Sequence, residues 1–471
     1  MTKTTHGPTL AISEEMHGLK HRQRGETFDE AMSRIANALA DDSEHYHTFR
    51  NILRPQAFLP GGRVQASIGS PRKTTALNCY VSGTIPDSMS GIMQAATNAA
   101  LTMRLGGGIG YDFSTLRPAG DHIKSLDSKS SGPLSFMRIF DSVCQTVASA
   151  GQRRGAQMGV MRVDHPDIEA FVEAKTNETE YTQFNLSVGV TDEFMQAVVD
   201  GGEFDLRFGG RVYATIDARY LWDKIMRATW DWAEPGILFL DRINNMNNLW
   251  YCETIAATNP CGEQPLPPDG ACLLGSFNLV KYLTADRKFD ITAFRRDIPP
   301  VIRAMDNIID RTIYPLPAQE QEAKQKRRMG IGVTAVANAG ECMGYVYGSD
   351  EYLVFQDVVL DTLAAEAYRA SALLAAEKGP FPLYDEEKFL ASKFVQTLPS
   401  DVQDLIRTHG IRNSHLLSIA PTGTNSLCAD NVSSGIEPVF AHSFERTIKT
   451  DDGDRREIVK DWAYHNHGVL G

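Results

Sequence analysis

The residues with the clearest chemical potential lie in one stretch, 258–272, which reads TNPCGEQPLPPDGAC. Its two thiols, Cys261 and Cys272, are eleven residues apart, and Asn259 and Glu263 stand two residues before and after the first thiol. Four prolines and two glycines exclude a regular helix or a central strand, because proline removes backbone donors and glycine permits unusual dihedrals. The pattern predicts a stiff loop that presents a thiol, an amide and a carboxylate to one small volume.

Spacing alone leaves the chemistry of these two thiols open. They fit a disulfide, half of a metal site, or two buried small apolar side chains. A zinc site usually contains closely spaced cysteine pairs, such as C-x2-C, and the chain has none. We therefore predict no metal ligands.

Three further segments contain groups that suit phosphate. The glycine run 106–110 is a weak signal, and a helical pattern precedes it instead of a strand, so we predict that its glycines permit close backbone packing. The loop AGQRRGAQ carries Arg153 and Arg154, which suit contacts to phosphate or a base edge and equally suit a solvated loop. The turn APTGTNS at 420–426 combines small hydroxyls with glycine, which favours phosphate binding.

Hydrophobic periodicity predicts the elements that must position these groups. Residues 1–55 have a helical pattern, with a capping box at Thr27 and Glu30. The helix that this box opens would bury apolar residues at helical spacing: Phe28, Ala31, Met32, Ile35 and Leu39. Strand-like and helical segments alternate over 181–256, which indicates an α/β fold with parallel strands.

Two residue sets have a less specific interpretation. Trp222, Trp230 and Trp232 lie on one helical segment, and we predict that they pack in the core. Residues 280–417 are mostly helical in pattern, and the basic triplet at 326–328 fits either a solvated face or a contact to phosphate.

Composition narrows the function classes. The 471 residues are 42% hydrophobic, which supports a substantial core, and the net charge of −12 argues against binding nucleic-acid polymers or membrane surfaces. No apolar run approaches the length of a membrane span, and the N-terminus lacks a signal-peptide pattern. Seven irregularly spaced cysteines do not form a secreted disulfide framework, so we expect a reducing cytoplasm.

Seven segments in order resemble the catalytic, or large, chain of ribonucleotide reductases. They are LNCYVSGTIPDSM at 77–89, GGGIGYDFSTLRPAG at 106–120, AGQRRGAQMGV at 150–160, HPDIEAF at 165–171, ATNPCGEQPLPPDGACLLGSFNL at 257–279, KRRMGIGVT at 326–334 and SIAPTGTNSLCADNVSSGIEPVF at 418–440. The wording is most similar to the adenosylcobalamin-dependent (class II) form and its phage relatives. The resemblance covers most of the chain from about residue 55 onward.

The resemblance implies a ten-stranded α/β barrel with a central finger loop. We assign 1–55 to an N-terminal helical region without the ATP-binding cone of many family members, and 56–471 to the catalytic barrel domain. Family members normally continue through further barrel strands, so we expect the C-terminal end of the barrel to be missing from this chain.

The resemblance also implies roles for residues of the finger loop. Cys261 would carry a thiyl radical, Glu263 would act as general base, and Asn259 would hold the ribose hydroxyls. Cys79 and Cys272 would be the redox pair that reduces the substrate.

Two nucleotide sites follow from the same resemblance. Thr422, Gly423, Thr424, Asn425 and Ser426 would bind the substrate phosphate, although family members commonly have isoleucine in place of Asn425. An allosteric effector would contact four residues: Asp87, Arg117, Arg153 and Arg154.

The function implied is reduction of ribonucleotides to 2′-deoxyribonucleotides for DNA synthesis, in a bacterial cytoplasm and with a phage as one source of the gene. The cofactor would be adenosylcobalamin; the alternative is none on this chain, with the radical supplied by a ferritin-like dimetal partner subunit. Other partners would be a ribonucleotide substrate, a deoxynucleotide or ATP effector, a thioredoxin- or glutaredoxin-like reductant, and a second copy in a homodimer. A further alternative is an inactive nucleotide-binding fragment that needs a complementary C-terminal chain.

Overall fold

The computed structural model describes residues 6–123, 127–147, 155–176, 179–450 and 453–468. The helices are α1 Ala11–His21, α2 Phe28–Leu39, α3 Ser43–Leu53, α4 Gly62–Ser67, α5 Met89–Arg104, α6 Pro133–Thr146, α7 Ile168–Val172, α8 Asp192–Asp200, α9 Ala218–Trp232, α10 Leu240–Met246, α11 Ile291–Arg311, α12 Pro317–Lys326, α13 Val336–Met343, α14 Asp350–Lys378, α15 Glu386–Leu390, α16 Ser400–His409, α17 Gly423–Cys428 and α18 Trp462–His467. The strands are β1 Phe58–Pro60, β2 Cys79–Val81, β3 Gly108–Asp112, β4 His122–Ile123, β5 Ser128–Lys129, β6 Gln157–Arg162, β7 Phe184–Val190, β8 Glu203–Phe208, β9 Arg211–Asp217, β10 Gly236–Phe239, β11 Ala257–Thr258, β12 Pro265–Leu266, β13 Ala271–Cys272, β14 Leu274–Asn278, β15 Gly330–Thr334, β16 Ser443–Thr450 and β17 Gly453–Lys460. Short 3-10 helices span Phe113–Thr115, Leu279–Tyr282 and Val395–Thr397.

Two sheets join into one curled wall. The first has the order β10-β7-β6-β3-β2-β13, with parallel neighbours except for the antiparallel pair β2 and β13. The second has the order β1-β14-β15, and Ile331 of β15 bridges in parallel to Leu417. Because a single residue, Leu273, stands between the end of β13 and the start of β14, the chain passes directly from one sheet to the other. The predicted α/β barrel is confirmed as a curled half-barrel, while the count of ten strands stays a prediction.

Side chains of the wall alternate between two faces. On β2, Cys79 and Val81 join one small apolar cluster, whereas Tyr80 between them packs into the large core formed with α2, α11 and α14. Leu274 and Phe277 of β14 divide between the same two clusters. Successive side chains of a strand point to opposite faces of the sheet, and here both faces are buried. The small cluster therefore lines the concave side of the half-barrel, and helices cover the convex side.

The N-terminal helices α2 and α3 pack on the convex side. Thr27 and Glu30 form the reciprocal capping box, and the five predicted apolar positions of α2 are all buried. Their side chains share the large core with α11 and β14. The domain boundary after residue 55 stays a prediction.

Two features of the middle region differ from expectation. β8 and β9 form an antiparallel hairpin, where alternation predicted parallel strands. The core assignment is wrong for Trp230 and Trp232, which are 84% and 41% exposed, while Trp222 packs partly buried against the core. The apolar face of α9 is completed by Leu221 and Ile225, so the C-terminal tryptophans point elsewhere. Within the described ranges, no helix has both the length and the apolar character needed to cross a bilayer.

Candidate active site

The thiol-bearing loop is a tight turn between two short strands. β11 and β12 pair in antiparallel register, and residues 259–264 form the tip between them. The N–H of Asn259 donates to the carbonyl of Gln264 at 3.2 Å, and the N–H of Gln264 donates to Oδ1 of Asn259 at 2.9 Å. The N–H of Gly262 donates to the Asn259 carbonyl at 3.0 Å, with φ at +80°, which glycine adopts without strain. The predicted stiff loop is confirmed.

The amide and the carboxylate of this loop meet beside the thiol. Nδ2 of the fully buried Asn259 donates to Oε2 of Glu263 at 2.6 Å, a charge-assisted hydrogen bond that orients both groups. Ser418 Oγ donates to the Glu263 carbonyl at 3.0 Å and ties the loop to the segment beside β15. Cys261 lies between the two groups in sequence and is exposed. One acceptor, one oriented amide and one accessible thiol therefore share the tip.

Cys79 and Cys272 occupy directly opposite positions on β2 and β13. Both are buried, and both are in the reduced, thiol form. Opposite residues of an antiparallel ladder have Cα atoms roughly 4.5–5.5 Å apart, which falls within the range of about 4.4–6.8 Å that a disulfide spans. An S–S bond between them would therefore need little movement of either strand.

The electrostatics of Cys272 show how close these groups lie. Burial raises the pKa of the Cys272 thiol well above its usual value. The Glu263 carboxylate and the sulfurs of Cys79 and Cys261 raise it further. The structure thus brings all four groups into one electrostatic neighbourhood, and Cys272 keeps its proton at neutral pH.

Glycines of β3 make this arrangement sterically feasible. A Cβ atom on Gly108 would lie 3.0 Å from Cγ of Pro260 and 3.1 Å from Sγ of Cys79. A Cβ atom on Gly110 would lie 1.8 Å from the Thr258 carbonyl oxygen. The predicted role of the glycine run in close packing is confirmed, because the bare backbone of Gly108 and Gly110 lets the loop and the Cys79 thiol approach β3 closely.

The loop 422–426 lies at the edge of the same cluster. Ala420 packs with Cys79 and Cys272 on the concave side, two residues before Thr422. Thr422 has φ at +50° and turns the chain into α17, where its N-cap position carries no side-chain hydrogen bond to the helix. Asn425 Nδ2 donates to the Pro60 carbonyl at 3.0 Å, so the loop is held against the end of β1.

Two of the four predicted effector residues are in contact. Arg117 Nε donates to Oδ2 of Asp87 at 2.8 Å, and the Arg117 N–H donates to Oδ1 at 3.3 Å. This pair lies at the start of α5, while Gly108 follows the end of the same 16-residue helix. At 1.5 Å per residue this helix is roughly 24 Å long, so the pair and Gly108 lie at opposite ends of α5. Arg153 and Arg154 lie outside the described residues.

The match of this sequence to a protein-family model shows which family the chain belongs to. The model of the ribonucleotide reductase barrel domain matches residues 77–463. The chain belongs to this family. The match begins just before β2 and ends within α18, so it includes every cysteine discussed above.

Several relatives of this reductase barrel are named for their cofactor. The vitamin B12-dependent ribonucleoside-diphosphate reductase of Mycobacterium tuberculosis is 37% identical over 445 residues, which cover 91% of this chain and 61% of the relative. The protein of that name from Thermoplasma acidophilum is 34% identical over 427 residues, covering 90% and 53%. The vitamin B12-dependent ribonucleotide reductase of Streptomyces clavuligerus is 30% identical over 456 residues, covering 85% and 47%. The chain thus spans about half to three fifths of the length of these relatives.

The basic triplet of the reductase barrel is neither solvated nor turned toward a phosphate site. Lys326 pairs with Glu253 at 2.8 Å and with Glu322 at 3.0 Å, and Arg328 pairs with the same two carboxylates. The side chains of these four residues are at most 10% exposed, and Arg327 between the two cations is equally buried in its own ion pairs. Both interpretations of the triplet are wrong, because charge alone cannot distinguish a buried ion network from a solvated face.

Some residues that hold the finger loop carry no signal in the sequence. Asn185 Nδ2 donates to the Pro260 carbonyl at 2.8 Å from the neighbouring strand β7. Ser418 begins the segment 418–440, but no role was predicted for its side chain. Each contact joins residues distant in sequence, so spacing could not reveal them. Gly108 and Gly110 belong to the glycine run 106–110, for which close packing was predicted, but the residues that pack against them were not predicted.

Proposed function

We propose that this chain is the catalytic barrel of a ribonucleotide reductase, which reduces ribonucleotides to 2′-deoxyribonucleotides by thiyl-radical chemistry. Membership of the reductase barrel family supports the reaction class. The observation that carries the proposal is the placement of Cys79 and Cys272 on opposite strand positions, next to the loop that presents Cys261. The reaction needs one radical centre and two reducing thiols, and three such groups share this site.

In this proposal the tip of the finger loop acts on the ribose. Cys261 carries the thiyl radical and abstracts the 3′ hydrogen, which activates the neighbouring carbon for loss of its hydroxyl. Glu263 accepts the proton of the 3′-hydroxyl as general base. Asn259 hydrogen-bonds the ribose hydroxyls and holds them in the reactive orientation. The 2.6 Å bond between Asn259 and Glu263 supports these roles, because it aims both groups at the space beside the thiol.

Cys79 and Cys272 supply the reducing equivalents. The two thiols together give two electrons and two protons, the 2′-hydroxyl leaves as water, and the pair ends as a disulfide. The raised pKa of Cys272 supports this role, since a protonated thiol is the form that delivers hydrogen. A thioredoxin- or glutaredoxin-like protein would then reduce the disulfide by thiol exchange.

Two nucleotide sites complete the proposal. The loop 422–426 would bind the substrate phosphate through the exposed Thr424 hydroxyl and the first backbone N–H groups of α17, which have no intrahelical acceptor. The buried Ser426 hydroxyl donates to the Thr422 carbonyl at 2.7 Å and would hold this turn in place. The names of the relatives favour a diphosphate substrate. Asp87 and Arg117, with Arg153 and Arg154, would bind a deoxynucleotide or ATP effector.

Adenosylcobalamin is the cofactor that the names of the relatives favour. The residues present fit a large group near the loop: Cys261 is exposed, and the space over Gly262 is open for 4 Å among the described residues. Bound adenosylcobalamin would supply the radical chemistry that oxidises the Cys261 thiol. Asn259 and Glu263 would keep the loop tip in place beside it.

Further partners follow from the architecture. The described sheet ends at β10, a short strand whose Phe239 is 46% exposed, and the longer relatives suggest that further chain covers this edge. That cover would come from a continuation or from a complementary chain, and a second copy would form a homodimer. The thiol chemistry suits a reducing cytoplasm.

The deciding experiment is an anaerobic assay with adenosylcobalamin, a dithiol reductant, a ribonucleoside diphosphate and a deoxynucleotide effector. We expect deoxynucleotide product together with the spectrum of cob(II)alamin. The Cys261→Ala variant should bind nucleotide normally and form no product. Measurable turnover by that variant would exclude the radical role of Cys261.

A second assay tests the redox pair. The Cys272→Ser variant should lose steady-state turnover, because the disulfide can no longer form and be recycled. An unchanged steady-state rate with the reductant would remove Cys272 from the mechanism. The matched control is Cys144→Ser, at a buried cysteine of α6 that belongs to a different core cluster from Cys79 and Cys272.

A further inference from the structure

The N-terminal helix α1 lies against the loop that would bind the substrate phosphate. α1 contacts both α4 and α17, and α17 begins within that loop. The inference below rests on the proposed function, because it concerns how the loop 422–426 is positioned.

A continuous chain of hydrogen bonds connects α1 to this loop. Arg22 Nε donates to Nδ1 of His17 at 2.9 Å, and Nε2 of His17 lies 3.1 Å from Oε1 of Gln65 on α4. Nε2 of Gln65 donates to the Pro60 carbonyl at 2.8 Å. Asn425 Nδ2 donates to the same carbonyl at 3.0 Å. One oxygen atom thus joins α4 to the loop.

The polarity of this chain has a single consistent solution. The Pro60 carbonyl only accepts, so Gln65 must face it with the NH₂ group and turn Oε1 toward His17. His17 must then carry its proton on Nε2, which leaves Nδ1 as the acceptor for Arg22, a permanent donor. Burial and the Arg22 charge lower the pKa of His17 to about 3, so the ring stays in this neutral form at physiological pH.

The far end of the chain is rigidly anchored. Arg22 makes a bidentate pair with Glu14, with both N···O distances 2.6 Å, and its side chain is 6% exposed. His17 and Gln65 are 2% and 3% exposed, and His17 packs edge-on against the ring of His21. Buried, fully paired groups such as these have little freedom to move.

We propose that His17 is a positioning residue for the substrate phosphate. Acting through Gln65 and the Pro60 carbonyl, it fixes the side chain of Asn425 and with it the loop 422–426. His17 does not touch the nucleotide; it sets the orientation of the loop that does.

Two substitutions and their combination test this relay. His17→Phe keeps the buried ring and removes both hydrogen bonds, and Asn425→Leu removes the contact to Pro60 with little change in volume. The readout is the dissociation constant for CDP, measured by calorimetry without cobalamin, together with KM and kcat. Each substitution should weaken CDP binding roughly three- to tenfold, which matches the loss of one or two neutral hydrogen bonds. KM should rise by the same factor while kcat stays within about twofold.

The double variant distinguishes a relay from two unrelated defects. If His17 acts through Asn425, the double variant should be no weaker than about tenfold, because the second change removes a connection already broken. A loss equal to the product of the single losses would overturn the relay, as would CDP affinities within twofold of the unsubstituted protein. Absence of CDP binding by the unsubstituted protein would overturn it too.

Two further variants guard against a trivial loss of structure. His45→Phe is the matched control, because His45 is also buried and its Nε2 donates to a proline carbonyl, that of Pro300, at 2.9 Å. This variant should lose thermal stability yet bind CDP normally, and equal weakening there would overturn the proposal. If His17→Phe does not fold, Gln65→Glu replaces it, since an ionised carboxylate cannot donate to Pro60. CDP binding that responds as expected without any deoxynucleotide product would refute the proposed reaction and leave the relay standing.

Discussion

The position of each cysteine in the fold decides what it can react with. Cys261 and Cys252 are exposed, whereas the remaining five cysteines are buried: Cys79, Cys144, Cys272, Cys342 and Cys428. Reactivity requires an accessible thiolate. Cys272 lacks both access and charge, because burial also raises its pKa. The exposed thiol of the finger loop is therefore the reactive one of the three in the site.

Thiol labelling should reveal this difference directly. Brief treatment of the reduced, native protein with N-ethylmaleimide at pH 8 should add two labels, and denatured protein should accept seven. Intact-mass spectrometry counts the labels, and peptide mapping should locate them at Cys261 and Cys252. Cys261→Ala should lose one label, while rapid native labelling of Cys272 would contradict the described burial.

At the scale of elements, the contact between β3 and the finger loop controls the site. Gly110 has no room for a side chain, since its Cβ would lie 1.8 Å from the Thr258 carbonyl oxygen. That oxygen is backbone, so relief requires movement of β11, which leads into Asn259 and Cys261. Small displacements of reacting groups can cost about 100-fold in rate.

The substitution Gly110→Ala should therefore reduce kcat by at least about tenfold and destabilise the fold by roughly 1–3 kcal/mol, through overpacking. Turnover and chemical denaturation measure the two effects. The matched control is Gly18→Ala within α1, where no atom of the described residues beyond the local helix backbone lies within 4 Å of the added methyl group. That change should stabilise the protein by about 0.5–1 kcal/mol, as alanine favours helix over glycine. Normal activity of Gly110→Ala would show that β11 can move freely.

The ion network under α12 is the second element-scale feature. The Glu253 side chain is 3% exposed and balances Lys326 and Arg328, which hold its pKa at about 2 despite its burial. Removing one partner of a buried network leaves an uncompensated charge and typically costs about 3–5 kcal/mol.

Glu253→Ala should therefore lower the free energy of unfolding by roughly 3–5 kcal/mol, measured by urea denaturation. Glu320 on α12, the helix that also carries Lys326, provides the control. It pairs with Lys324, and the side chains of Glu320 and Lys324 are 47% and 42% exposed. Glu320→Ala should cost less than about 0.5 kcal/mol. Similar losses for both variants would mean that the network is more hydrated than its burial indicates.

At the scale of the whole molecule, buried histidines couple stability to pH. Burial lowers the pKa of His17 and His415 from 6.5 to about 3, with Arg22 and Arg328 respectively adding to the effect. The unfolded chain takes up these protons as the pH falls through 6.5, while the folded protein does not. Since the unfolded state binds more protons between pH 6.5 and 3, stability must fall as the pH falls in this window.

Unfolding free energies measured at pH 5, 6, 7 and 8 should show this trend. We expect a plateau above pH 7 and a decline below 6.5, with each histidine contributing up to about 1.4 kcal/mol per pH unit. His415→Gln should have a shallower slope than the unsubstituted protein. Stability that rises on acidification from pH 6.5 to 5 would contradict the burial of these rings.

Local signals explain what could be predicted from the sequence. The capping box at Thr27 and Glu30, the apolar face of α2 and the proline-rich finger loop all depend on residues a few positions apart. Backbone stereochemistry and side-chain capping act over that range, so their effects can be predicted before the fold is known. The seven family segments, which occur in family order, also allowed the barrel fold to be predicted, and the family match confirms that fold.

Contacts between segments that are distant in sequence could not be predicted and are seen only in the folded structure. The sequence does not state that Cys79 stands opposite Cys272, that the basic triplet is buried, or that Trp230 faces outward. These outcomes depend on which faces the helices and strands turn toward each other, and burial then sets the pKa of Cys272 and the ionic partners of Arg328. Residue types and short spacings were enough to identify the reactive groups of the finger loop and their local geometry. Packing decided which of them share one site, because desolvation and contact are properties of the folded chain as a whole.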